Sequence, residues 1–141
     1  MQIKLEFNIK PLTVNLCFRS IARGKRVMNI KSEAYRNFED EINKQINKFR
    51  KELSSFNNHY NDNAHYIDIE YRFYFPIFTK SQKLHKRAGD VDNLIKAIKD
   101  CVFKELDADD GEVVNLSATK IHSEDPKILM IISVKDLTLL H

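Results

Sequence analysis

Two aspartates one residue apart, Asp90 and Asp92, are followed by Lys96 and Asp100, and then by a second acidic pair, Asp109 and Asp110. Carboxylates from two places on a chain, converging with a lysine, form an oxygen-rich anionic site. A hard divalent cation takes such ligands; magnesium binds oxygen at about 2.0–2.1 Å and keeps several waters. With a lysine to offset charge on a phosphate, the set suits metal-assisted cleavage of a phosphodiester. Each piece alone is ordinary, since Asp-x-Asp at a helix start is common capping and Asp-Asp-Gly is a common turn. Together they carry more: capping needs one carboxylate, and this segment offers several around a lysine.

The elements that would position these groups follow from spacing. Val91, Leu94, Ile95, Ile98, Cys101 and Val102 recur at helical intervals and predict one apolar stripe. At about 100° per residue, Asp92, Lys96 and Asp100 fall on another face, one turn apart. Gly89 precedes the helix and Asp90 suits its N-cap. The helix dipole favours negative charge in this first turn, so the aspartates stay ionised.

The order Asp90-Val91-Asp92-Asn93, then Lys96, then Asp100, then Asp109-Asp110-Gly111-Glu112-Val113-Val114 resembles the RusA family of Holliday junction resolvases, which are small endonucleases. Asn15 with the basic loop after it, and Ser32 through Arg36, are weaker echoes of the same family. Two features depart from its pattern. The turn Phe103-Lys104-Glu105-Leu106-Asp107 lacks the usual glycine, which leaves open whether Asp109 or Asp110 reaches the metal. Pro11-Leu12-Thr13-Val14 replaces a Pro-Pro-Ser run before Asn15.

The resemblance implies that Asp90, Asp92 and Asp110 hold one or two Mg2+ ions, with Asp109 behind them. Lys96 would stabilise charge on the phosphate or position a carboxylate. Asn93 would orient ligands or cap the helix, and Asp100 would support the ligands or serve the fold. It further implies paired symmetric nicks in a four-way junction during DNA recombination and repair. The enzyme would be a homodimer, because two cuts in a two-fold substrate call for two sites related by a two-fold axis.

The bulk properties are compatible with this. A chain of 141 residues predicts a single domain, residues 1–141, with room for a core. A hydrophobic content of 43% with 30% charged residues describes a soluble globular protein. No apolar run is long enough to cross a bilayer and no signal-peptide pattern opens the sequence, so no membrane association and a cytoplasmic location are expected. Cys17 and Cys101 are too few for a disulfide framework or zinc site. The net charge of +3 is only mildly basic, but the positive residues cluster apart from the acids.

Along the chain, Ile3, Leu5, Phe7 and Ile9 alternate as in a half-buried strand that Pro11 ends, and Val14, Leu16 and Phe18 continue an extended segment. A loop or hairpin with Gly24 at its tip carries Arg19, Arg23, Lys25, Arg26 and Lys31, suited to DNA phosphates. Ser32 caps a helix running to about Leu53 through Tyr35, Phe38, Ile42, Ile46 and Phe49. Ser54 to Ala64 reads as a surface loop, with His59 and His65 as solvated flanks.

Tyr66 to Phe78 is the strongest strand. A basic loop holding Lys80, Lys83, His85, Lys86 and Arg87 then leads into Asp90. Cations there hold a polyanion that the carboxylates would repel, with Lys83, Lys86 and Arg87 as DNA contacts. Val113 to Ile121 and Ile128 to Leu137 read as strands joined at Ser123-Glu124-Asp125-Pro126. Lys120 at a strand end would point toward nucleic acid, and the apolar tail 137–140 would pack on the core or on a partner subunit.

These elements predict an α/β (α+β) fold with one mixed sheet and helices on one side. Two further readings of the residues stand beside the resolvase: a metal-dependent nuclease acting on other branched DNA such as flaps or forks, and a DNA-binding protein without catalysis.

Overall fold

Ile67, Ile69, Tyr71, Phe73 and Phe75 alternate with Asp68, Glu70, Arg72 and Tyr74, a period that turns one set toward a core and the other toward the sheet's second face. In the computed structural model, which describes residues 1–13, 18–86 and 89–141, this segment is a central strand, β4 (His65–Phe75). The side chains of Phe18, Arg23, Met28 and Asn29 also lie outside that description. Of the expectations above, those on Val14, Asn15, Leu16, Cys17, Arg87 and the Arg23 side chain therefore fall outside the described residues.

The other elements in chain order are β1 (Gln2–Phe7), β2 (Phe18–Arg23), β3 (Arg26–Lys31), α1 (Glu33–Ile46), α2 (Arg50–His59), α3 (Val91–Phe103), β5 (Val113–His122) and β6 (Lys127–Asp136). Among the described residues the main sheet has the order β1-β6-β4-β5, with β2 and β3 forming a separate hairpin. β4 pairs antiparallel with β6 and parallel with β5. A parallel neighbour requires a crossover, and α3 is that crossover. The turn from β5 to β6 passes over the end of β4, where Ser123 N–H donates to the Phe75 carbonyl at 3.1 Å.

All three helices cover one face. The core joins Ile3, Leu5 and Phe7 with the inward set of β4, Ile128, Met130 and Ile132 of β6, and the inner stripes of α1, α2 and α3. Ser32 Oγ accepts the Tyr35 N–H at the start of α1. Gln45, buried in the last turn of α1, accepts the Asn8 N–H at 2.7 Å and donates to the Asn8 carbonyl at 3.0 Å, which ties the helix to the end of β1. This is the α/β (α+β) fold with one mixed sheet that the periodicities predict, to which the β2–β3 hairpin adds a second, smaller sheet.

One segment differs from expectation. The helical path does not stop near Leu53 and give way to a loop at Ser54. It makes a 3-10 turn at Asn47–Phe49 and continues as α2 to His59. Leu53 and Phe56 lie three apart on its inner face, and Phe56 is fully buried and stacked on Tyr60 at 5.3 Å. Serines and asparagines crowd the outward face of α2, so composition suggested a loop where burial of Phe56 holds a helix.

The basic segment folds as the hairpin of β2 and β3, with Arg23 paired to Arg26 and Gly24 at φ +61° in the two-residue turn. Arg19, Lys25 and Arg26 are exposed. Its base is fixed by Glu39, which pairs with Lys31 at 3.0 Å and with Lys104 at 3.2 Å. Those two ammonium groups hold the Glu39 carboxyl below the usual range although its partial burial works in the opposite direction. The terminal turn Leu137–Leu140 leaves Leu139 and Leu140 exposed, so within this chain the tail does not pack on the core.

Candidate active site

α3 forms because Leu94, Ile95, Ala97, Ile98, Cys101 and Val102 bury one stripe against the sheet. That leaves Asp92, Asn93, Lys96, Lys99 and Asp100 exposed or half-buried. Asp90 occupies the N-cap position with extended backbone (φ −77°, ψ 144°), yet its carboxylate makes no capping bond. Asp90 stands at the expected position but the capping bond expected of it is not made; it instead offers an exposed carboxylate two residues before that of Asp92 at a helix N-terminus.

The backbone before Asp90 is tightly held. Gly89 has φ +106°, and a Cβ there would lie 2.4 Å from Thr13 Cγ2, so only glycine fits. The Gly89 carbonyl accepts a hydrogen bond from Lys120 Nζ at 3.1 Å. Lys120, expected to face nucleic acid, thus reaches back from β5 to the start of α3.

The second acidic pair separates into two roles. Asp109 caps the short turn Asp110–Glu112: its Oδ1 accepts the Gly111 N–H at 2.7 Å, and its own N–H donates to Glu112 Oε2 at 3.1 Å. Glu112 is held in turn by the Tyr60 hydroxyl at 3.0 Å. Asn57 braces the preceding loop, accepting the Asp107 N–H at 2.8 Å and donating to the Glu105 carbonyl at 3.1 Å. Asp110 pairs with Lys99 Nζ at 3.0 Å. The Lys99 ammonium, followed by the neighbouring Asp109 side chain and the Gly111 backbone N–H, holds the Asp110 carboxyl below the usual range. Lys96 pairs with Asp100 at 3.6 Å along the helix.

Beneath this surface lies the Tyr71 hydroxyl, buried and without a hydrogen-bond partner among the described residues. Burial, then the charges of Asp100 and Asp110, push the phenol above its usual range. It stays a neutral donor beneath the acids.

Asp90 and Asp92 therefore suit a hard cation, being exposed carboxylates with no competing cap. Asp110 is held further along α3. Its partner Lys99 lies seven residues along α3 from Asp92, which is about 10 Å of helix. Among the described residues no three of His, Cys, Asp or Glu stand close enough to hold a metal ion.

Lys83 and Lys86 are exposed on the loop before α3. That loop is a small turn in which Thr79 N–H donates to the Lys83 carbonyl at 2.7 Å and His85 N–H to the Ile77 carbonyl at 2.6 Å. Sequence reasoning missed Lys99, Asn57, Tyr60 and Glu112. Only Lys99 left a trace, as a polar residue between Lys96 and Asp100, and its partner is brought to it by the crossover.

No helix among the described residues is long and apolar enough to cross a membrane. No curated protein matches the chain. The model of the family described as endodeoxyribonuclease RusA matches residues 13–133, which span α3, both acidic pairs and all of β5. The chain therefore belongs to the RusA family of endodeoxyribonucleases, Holliday junction resolvases that hydrolyse DNA phosphodiester bonds.

Proposed function

We propose that this protein is a magnesium-dependent homodimer that resolves four-way DNA junctions by paired symmetric nicks, in recombination and repair in the cytoplasm. The observation that carries the reading is the exposed Asp90 carboxylate, left out of the helix cap and followed by Asp92 at the start of α3, with exposed cations on the loop before it.

Asp90 and Asp92 are the proposed ligands from one chain, with Asp110 as the third. A magnesium ion held by these carboxylates would supply Lewis acidity toward the scissile phosphate and the attacking water. Lys96, released from Asp100, faces the phosphate; Asn93 fixes the first turn. Lys99 keeps Asp110 ionised and ready to bind metal. The hairpin residues Arg19, Arg23, Lys25 and Arg26 and the loop residues Lys83, Lys86 and Arg87 take the DNA backbone, which needs cations flanking an acidic centre.

The dimer solves the separation of the acids. β5 is a ten-residue strand paired only with β4 among the described residues, and it exposes Val114 and Leu116. A long apolar edge is unstable alone and invites pairing with a second copy. The opposite edge, β1, is shorter and directs Gln2, Lys4 and Glu6 outward. In an antiparallel β5–β5 pairing, the beginning of one strand lies beside the end of the other. Asp110 precedes the beginning of β5, and Lys120, near its end, holds the backbone before Asp90. We infer that each site takes Asp90 and Asp92 from one protomer and Asp110 from its partner.

A labelled four-way junction with magnesium tests the function. Symmetric paired cuts are the expected result. Cuts mainly in flaps or forks move the substrate to other branched DNA, and Asp90→Asn cutting at the parental rate refutes the site.

A further inference from the structure

We propose that Lys120 is a positioning residue for the reaction: by fixing the Gly89 carbonyl it sets where the Asp90 carboxylate stands and so determines metal affinity. The proposal rests on Asp90 being a metal ligand, and the control below separates the two.

The register shows why a lysine here needs a reason. Along β5, Leu116, Ala118 and Lys120 are opposite Ile69, Tyr71 and Phe73, the set that β4 turns toward the helices. Lys120 is half-buried on the side where apolar residues belong. A lysine stem tolerates such a place if its ammonium finds an acceptor. The acceptor it finds is a backbone carbonyl, Gly89, at 3.1 Å.

That carbonyl belongs to the residue immediately before Asp90. Its backbone is otherwise constrained by packing: φ is +106°, Thr13 Cγ2 fills the space of a Cβ, and Leu94 Cδ2 lies 3.4 Å from the same point. The Asp90 side chain makes no capping bond that would hold it. Its position is therefore inherited from the backbone, and the backbone is pinned on one side by Thr13 and on the other by Lys120. An ammonium has three donors, of which one serves Gly89. Groups that orient a metal ligand from behind typically change metal affinity or activity about 10–100-fold when removed.

Lys120→Met and Lys120→Arg test this in the full-length protein, with Asp90→Asn as control. Mn2+ binding is measured by calorimetry, junction binding without divalent metal by gel shift, and nicking across a magnesium titration. Lys120→Met is expected to weaken Mn2+ binding about 10–100-fold and to raise the magnesium needed for half-maximal nicking by a similar factor. Much of the rate returns at saturating metal, and metal-free junction binding is unchanged. Lys120→Arg, which keeps a charged donor, falls between the two.

If Lys120→Met binds Mn2+ like the parent while Asp90→Asn has lost it, the positioning role is refuted and the Asp90 site stands. If Asp90→Asn also binds normally, the site assignment itself fails. Should Lys120→Met not fold, Lys120→Gln carries the measurement. Loss of fold in both means that Lys120 holds the domain together, which overturns the inference.

Discussion

A composite site makes a demand that a single-chain site does not. Asp90→Asn and Asp110→Asn are each expected to lower nicking by at least about a hundredfold, since even groups behind metal ligands reach that loss. In a dimer containing one chain of each variant, the two readings diverge. If every site is built within one chain, both sites carry a substitution and the mixture is as inactive as its parents. If Asp90 comes from one protomer and Asp110 from the other, both substitutions fall in one site and the second site is fully parental. With free exchange at equal amounts, about half the dimers are mixed, so about one quarter of all sites regain activity. The structural basis is the roughly 10 Å of helix between Asp92 and Lys99, the residue that holds Asp110. The two variants are co-expressed with different tags, the mixed dimer is purified through both, and a plasmid with an extruded cruciform is the substrate. The purified mixed dimer has one active site, so it is expected to produce nicked circles, whereas the parent gives the linear product of paired cuts. A mixed dimer no more active than either variant refutes the shared site.

Three further outcomes follow from particular contacts. Phe56→Ala removes a fully buried ring from α2 and is expected to destabilise by about 3–5 kcal/mol in urea unfolding, a cost that a loop residue would not incur. Alanine at Arg19, Lys25 and Arg26 together is expected to reduce the slope of log binding constant against log salt by up to about 3, at about 0.9 per lost phosphate contact on duplex arms. The lowered pKa of Asp110 has a definite sign. The unfolded chain binds the proton more readily, so the contribution to stability is complete above the ordinary carboxylate range and is lost as pH falls through the depressed folded value. Lys99→Met should therefore narrow the stability difference between neutral and acid pH, read from denaturation midpoints across that range; an unchanged pH dependence counts against the Lys99–Asp110 pair.

What could be read in the sequence was local. The apolar stripe of α3, the alternation of β1 and β4, the Ser32 cap and the Gly24 turn are set by neighbours a few residues away, and each appears as expected. What could not be read depends on distant partners. Lys99 looks like any polar residue on a helix until the crossover brings Asp110 to it, and Asn57 looks like a loop former until it bonds Asp107 and Glu105. Asp109 and Asp110 are adjacent and chemically identical; only the capping box, which uses Asp109, tells them apart. Asp90 was legible as a position, but that its carboxylate is left out of the cap depends on the path of the backbone through Gly89.

The topology also explains why the edge of the sheet matters to the chemistry. Because β5 runs parallel to β4 through the α3 crossover, α3 and β5 are antiparallel neighbours, with Asp90 near one end of the pair and Asp110 toward the other. In the proposed dimer each protomer would carry two half-sites, and a two-fold axis near the middle of β5 would bring unlike halves together twice. Ten residues of strand would put the two completed sites on the order of 30 Å apart. Leu116→Asp tests this connection, because it places a charge on the half-exposed edge strand without altering an acid or Lys120. The expected product is a folded monomer by light scattering that has lost Mn2+ binding and nicking, although every acidic residue of the chain is present. A folded monomer that nicks at the parental rate would mean that the acids converge within one chain after all, by release of Asp110 from Lys99.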